Sequence, residues 1–373
     1  MKHLEIWFLV FVFVCMSISI AWGGDILDVK LESPSIAKNK VGISSTRLIN
    51  VYIPTGYENG NLRYPTIYWI GGYTDNNLYN YSKMLDDAIQ NGKIAPVIVV
   101  FINTPEGTWF VNSDITGYWE DFLVKEIVPY IDSNYRTIPD MKKRGIGGHS
   151  AGGWDAIMLP LFYPGIWSAV GTNDAAIGIP WELIFDWQEV VSSDQEFRKF
   201  LTLMFATRLS TFFSSIFNSN ILDYNEKNTY VKVAWELASR ISPNPNNSNG
   251  VDLPLTENGE WVPEIREKWR DFSILEYKTI EKYRKELSQL SLNITVVNKN
   301  PPNTSGYENE YFIELLKLAG IPVNRMEMPG NHTDYIGERF IALVEAMLRG
   351  LNVTSVDSRG KVATTWGNIK NDN

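Results

Sequence analysis

Short runs of β-branched and aromatic residues alternate with stretches of helical periodicity through most of this 373-residue chain, and that alternation narrows the accessible folds most. LINVYIP (48–54), PTIYWIGG (65–72) and PVIVVFIN (96–103) read as strands bounded by Pro and Gly. IWSAVGTND (166–174), LNITVVNK (292–299) and VNRMEMP (323–329) continue the series. Between them, 81–90 and 119–132 place apolar residues at i, i+3, i+4, and 336–351 reads as a closing helix. Strands apolar on both faces must be covered on both faces, which a mainly parallel sheet flanked by helices achieves. The expected architecture is α/β, a single domain over 24–373. A helical, aromatic-rich insert at 178–290 interrupts it, as a structural excursion or as a lid or pocket wall. A polar tail closes the chain at 352–373.

The hydrophobic share of 44% and charged share of 21% suit a folded globule with a large core. A net charge of −9, with no basic stripe to neutralise phosphates, excludes nucleic acid as a partner. The first 23 residues differ from the rest. Met1-Lys2-His3 is followed by an apolar run over 6–20 and by Ala21-Trp22-Gly23, the pattern of a secretory signal peptide cut before Gly24. An uncleaved anchor is the rival reading, but the run falls short of the roughly 20 residues of a spanning helix. The expected location is therefore secreted or periplasmic, without stable membrane insertion. Cys15, the chain's one cysteine, leaves with this segment, so neither a disulfide nor a thiolate metal site is expected.

RGIGGHSAGGWDA (144–156) is the stretch with chemical content. A dinucleotide-binding turn would need a buried apolar strand ending just before its first glycine. Met141-Lys142-Lys143-Arg144 precede Gly145 instead, so the glycines themselves must form the strand end, and no Gly-Lys-Ser/Thr of a P-loop follows. Gly148-x-Ser150-x-Gly152 fits a nucleophile elbow, whose serine occupies strained backbone between strand and helix and tolerates only small residues two positions away. A serine that attacks an acyl carbon needs a base matched to neutral pH. The chain holds only His3, His149 and His332. His3 belongs to the signal, and His149 should point away from Ser150 Oγ and pack beside the elbow. His332 remains, on the loop after the last strand. So few histidines, and no cysteine outside the signal, also argue against a zinc site.

The segments RYPTIYWIGG (63–72), TWFVNSDITGYWEDFLVKEIVPYIDSNYRT (108–137), RGIGGHSAGGWDA and PGNHTDYIGERF (329–340) resemble the putative esterase family of α/β-hydrolases. That family includes feruloyl and acetyl-xylan esterases, S-formylglutathione hydrolases and mycolyltransferases. The likeness runs from about Leu48 to Leu351 and points to a bacterial secreted or periplasmic subgroup. It implies an α/β-hydrolase fold and a Ser-His-acid mechanism on carboxylic esters, with no cofactor and no metal. Ser150 matches the nucleophile and His332 the base, with the amides of Ala151 and Tyr73 as oxyanion donors. At the family's acid position stands Asn303, which cannot balance an imidazolium charge. Glu308 on the same loop is the first alternative, Asp174 at the end of the preceding strand the second, and an incomplete triad the third. The aromatic group of Trp109, Phe110, Tyr118 and Trp119 lies where the family lines its pocket, although such clusters more often belong to a core.

The expected activity is hydrolysis of a small-molecule or polysaccharide-linked ester through an acyl-enzyme. Acyl transfer to an alcohol would use the same groups. A carbohydrate-binding relative without catalysis is the reading from another functional class.

Overall fold

The computed structural model describes residues 24–75, 81–104, 109–177, 229–248, 250–254, 256, 262–298 and 304–354. The expected signal at 1–23, the first half of the insert, Asn303 and the tail beyond 354 lie outside these residues. Among the described residues no helix is long and apolar enough to cross a membrane.

The chain folds as an α/β structure around one mostly parallel sheet with a core on each face. Eight strands form one sheet: β1 (Asp25–Glu32), β2 (Thr46–Ile53), β3 (Thr66–Ile70), β4 (Ile98–Ile102), β7 (Arg144–His149), β8 (Ala169–Asn173), β9 (Ser291–Asn298) and β10 (Val323–Pro329). β5 (Asn112–Ser113) and β6 (Gly117–Tyr118) make a separate antiparallel ribbon. The large sheet runs β1-β2-β4-β3-β7-β8-β9-β10, antiparallel at β1–β2 and β2–β4 and parallel elsewhere. Every apolar run named above forms a strand. β1 was not anticipated, because DILDVKLE breaks its four apolar residues with four charged ones and sits at the sheet edge, where one row of backbone groups is unpaired.

The period of two in each strand sorts side chains between two cores. Ile67 and Trp69 of β3, with Val99 and Phe101 of β4, enter one; Tyr68, Ile70, Ile98, Val100 and Ile102 enter the other. The first core is covered by α1 (Ser82–Gln90) and α7 (Ile336–Gly350), where Trp69 meets Phe340 edge to face at 4.7 Å. The helical stretch from Trp119 reaches α2 (Val128–Asn134) through a wider π-helical turn, Phe122–Ile127, just before Pro129, which lacks an N–H for the preceding turn. The second core takes residues of α3 (Ala151–Phe162) and the parts of the insert at α4 (Thr229–Ile241) and α5 (Pro263–Phe272), and of α6 (Thr304–Leu318). Trp109, Phe110 and Trp119 are buried, with Trp109 edge-on to Trp154 at 5.0 Å, so they act as core.

β7 explains how a glycine-rich run can be a central strand. A Cβ on Gly145 would lie 2.8 Å from Ile67 Cδ1, and one on Gly147 would lie 2.8 Å from the Trp69 ring and the Gly171 carbonyl. Large neighbours already fill the space over this strand. Arg144, read from sequence as part of a basic lead-in, is in fact the first residue of β7 and buried; its Nη2 pairs with Asp132 at 2.5 Å and its Nη1 donates to the Ile166 carbonyl.

α3 also carries Asp155, fully buried, whose Oδ1 accepts from the Phe110 N–H at 3.1 Å while Oδ2 has no hydrogen-bond partner. Burial pushes its carboxyl well above the usual range; the Phe110 N–H opposes this and the charge of Glu120 adds to it. A carboxyl with a raised folded-state pKa stabilises the fold below its unfolded pKa and loses that contribution as pH rises through the folded value. The Asp155→Asn variant should therefore melt at or above the wild-type temperature at pH 8, by about 2–4 °C for each kcal/mol recovered. At pH 4 the two should coincide. A thermal melt at both pH values checks this, and a variant less stable at pH 8 than at pH 4 relative to wild type would refute it.

Candidate active site

The chain order β3, β4, β7 places β4 on one side of β3 and β7 on the other. Between β3 and β7 the winding reverses, and in open α/β sheets the crevice beyond the carboxyl ends at such a point is where ligands bind. Ser150 follows β7 there, and the 71–75 turn follows β3. Asp174 ends β8 at the same edge, and the 330–335 loop leaves β10.

Ser150 adopts φ 54°, ψ −116°, a conformation that few non-glycine residues tolerate. Its N–H donates to the Asn173 carbonyl at 3.1 Å, while its carbonyl accepts from Gly153 at 3.0 Å and from Ala176 at 3.0 Å. The glycines two positions away are forced. A Cβ on Gly148 would lie 2.2 Å from the Gly152 oxygen, and one on Gly152 2.4 Å from the carbonyl oxygens of Ile70 and Gly71. Positive φ recurs at Thr74, Asp174 and Tyr335, leaving Asn352 as the one such non-glycine residue away from these four loops among the described residues. Nothing in the sequence marks Thr74 or Tyr335 this way.

His332 joins the loops. Its Nε2 lies 3.0 Å from Ser150 Oγ, and its Nδ1 lies 2.6 Å from Asp174 Oδ2. In the tautomer this geometry fits, Ser150 O–H donates to Nε2 and the Nδ1–H donates to the carboxylate. Asp174 is fully buried, and its N–H donates to Thr295 Oγ1 at 2.8 Å, which in turn donates to the Thr172 carbonyl. Arg339, buried in α7, donates through Nη2 to the Asn331 carbonyl at 2.5 Å and through Nη1 to Asn173 Oδ1 at 3.3 Å. One guanidinium thus ties the residue before Asp174 to the residue before His332. Burial lowers its pKa, and the nearby charge of Asp174 offsets part of that.

The sequence-derived candidates divide accordingly. Ser150, His332 and Asp174 come together. Glu308 lies buried in α6, and the carboxylate at His332 Nδ1 belongs to Asp174 instead. The preference for Glu308 placed it on one loop with Asn303, whereas its residue is helical; the neighbouring Asn309 caps the segment after Asp174 by donating to the Ala175 carbonyl at 2.8 Å. Ala151 opens α3, so its amide is among those lacking an intrahelical acceptor. Tyr73 follows Gly72, where a Cβ would lie 3.4 Å from Ser150 Cβ, so the turn runs against the serine. Sequence reading missed Asp75, which fixes this turn. Its carboxylate accepts from the Gly72 N–H at 2.8 Å, its N–H donates to the Gly72 carbonyl, and its carbonyl accepts from Thr104.

The "Putative esterase" family model matches residues 42–189, which contain the elbow and Asp174. An esterase of Mycobacterium tuberculosis is 26% identical over 152 residues, 39% of this chain and 33% of that protein. An endo-1,4-beta-xylanase/feruloyl esterase of Xylanibacter ruminicola is 27% identical over 146 residues, 36% of this chain and 20% of that protein. The matched part thus spans a third or less of these relatives' own length. A solved ferulic acid esterase superposes with a TM-score of 0.56 at 16% identity, covering 88% of this chain and 99% of that one.

Proposed function

Because the putative esterase family model matches residues 42–189, we propose that the chain is a serine carboxylic ester hydrolase working through an acyl-enzyme. The observation that carries this reading is the bridge His332 makes between Ser150 Oγ at 3.0 Å and Asp174 Oδ2 at 2.6 Å. Ser150 Oγ attacks the acyl carbon as its proton passes to His332 Nε2, and Asp174 balances the imidazolium. The oxyanion is met by the amides of Ala151 and Tyr73, each such donor worth about 3–4 kcal/mol in the transition state. His332 then protonates the leaving alkoxide, and a water activated by the same imidazole releases the acid. An intact nucleophile–base–acid chain favours this reading over binding without catalysis.

The residues at 1–23 act in this proposal as a secretory signal, so that the enzyme works outside the cytoplasm. Its substrate is then an exported or polysaccharide-linked ester, in keeping with the xylanase/feruloyl esterase name of one relative.

A fluorophosphonate probe followed by peptide mapping should place one label on Ser150 and abolish turnover of short p-nitrophenyl esters in proportion to labelling. Absence of both label and turnover would overturn the proposal. Acetyl and feruloyl esters run side by side then separate the substrate classes.

A further inference from the structure

His149 precedes the nucleophile, and its ring nitrogens face two different loops. Nε2 lies 3.1 Å from the His332 carbonyl, and since a carbonyl only accepts, Nε2 carries the proton. Nδ1 faces Asp75 Oδ2 at 3.7 Å, too far for a hydrogen bond. The ring is buried, its Nδ1 has no hydrogen-bond partner, and it lies beside the His332 ring with centroids 4.8 Å apart. On the other side Nδ1 is 3.0 Å from where a Gly72 Cβ would stand. Asp75 in turn accepts from the Gly72 N–H at 2.8 Å.

We infer that His149 is a positioning residue for the proposed esterase reaction: its Nε2–H fixes the backbone of His332, and its other edge braces the Asp75-held turn that carries the Tyr73 amide. One imidazole, anchored to the elbow by the chain itself, thereby sets the distance between base, nucleophile and oxyanion donor. Catalytic groups displaced by about an ångström can lose on the order of 100-fold in rate, so the contribution should be read in kcat and not in KM. This inference rests on the Ser-His-Asp reading above.

The test is a comparison of His149→Gln with His149→Asn on p-nitrophenyl acetate, together with fluorophosphonate labelling rates and melting temperatures. The Gln amide nitrogen reaches the place of Nε2, whereas the Asn nitrogen reaches only that of Nδ1. His149→Gln should keep kcat within about threefold of wild type, and His149→Asn should lose about 30–100-fold with KM nearly unchanged. Labelling should fall in parallel. Equal kcat in the two variants would overturn the inference, as would losses that follow melting temperature alone. Asp75→Ala, at a half-exposed turn residue, supplies an arm independent of core packing. It should lower kcat about tenfold, and its effect should largely vanish in a His149→Asn background. Additive effects would overturn the coupling. Ser150→Ala run alongside separates the two levels: turnover surviving in that variant refutes the esterase reading itself, while its loss with equal Gln and Asn variants refutes only the role of His149.

Discussion

Ser150→Ala should lower kcat for ester hydrolysis by about a million-fold, and His332→Ala by a comparable factor, with KM little changed. The two groups act as one unit. Without the hydroxyl there is no acyl-enzyme, and without the imidazole the hydroxyl at 3.0 Å has nothing to take its proton. Their joint removal should therefore cost no more than either alone. Residual turnover should reflect the oxyanion donors and binding, about 10³–10⁴ over water. The serine change removes one oxygen from a residue already held at φ 54° by backbone bonds from the Gly153 and Ala176 N–H groups and by its own N–H to the Asn173 carbonyl, so the fold should survive it. Steady-state kinetics with active-site titration checks this. Either variant remaining within about 100-fold of wild type would defeat the assignment.

The nucleophile and base were legible because their signals are local or numerical. Gly148 and Gly152 mark the elbow by the space their neighbours deny, and one usable histidine after the last strand leaves little choice. The strand runs were legible because burial on both faces demands continuous apolar text. What was not legible depends on the turn beyond the strand and not on its composition. Asp174 becomes an acid because φ 46° swings its carboxylate from the end of β8 toward His332, and Thr295, 121 residues away, fixes its N–H. No spacing rule announces that. Arg339 is equally hidden, joining α7 to two loops, whereas Asp75 works within its own turn, its carboxylate accepting from the Gly72 N–H three residues back. Glu308 illustrates the converse: a carboxylate at a suitable distance in sequence, carried into a helix whose buried side serves packing.

Asp174→Asn should lower kcat by about 10³–10⁴ while Glu308→Gln stays within about threefold of wild type. The reasoning runs through one proton. With a carboxylate 2.6 Å from Nδ1, the imidazole keeps its hydrogen on that nitrogen and presents a bare Nε2 to Ser150. An Asn side chain can turn its NH₂ toward Nδ1, which favours the tautomer with hydrogen on Nε2, and that ring cannot accept from the hydroxyl. It also leaves the imidazolium formed during attack without the balancing charge of Asp174. The Thr295 bond to the backbone of residue 174 is untouched by the substitution, so the loss should fall on kcat with the melting temperature close to wild type. A larger loss in Glu308→Gln than in Asp174→Asn would reassign the acid to α6. Equal, small losses in both would mean that His332 works here without a carboxylate, and the Ser-His pair alone would then have to account for the measured rate.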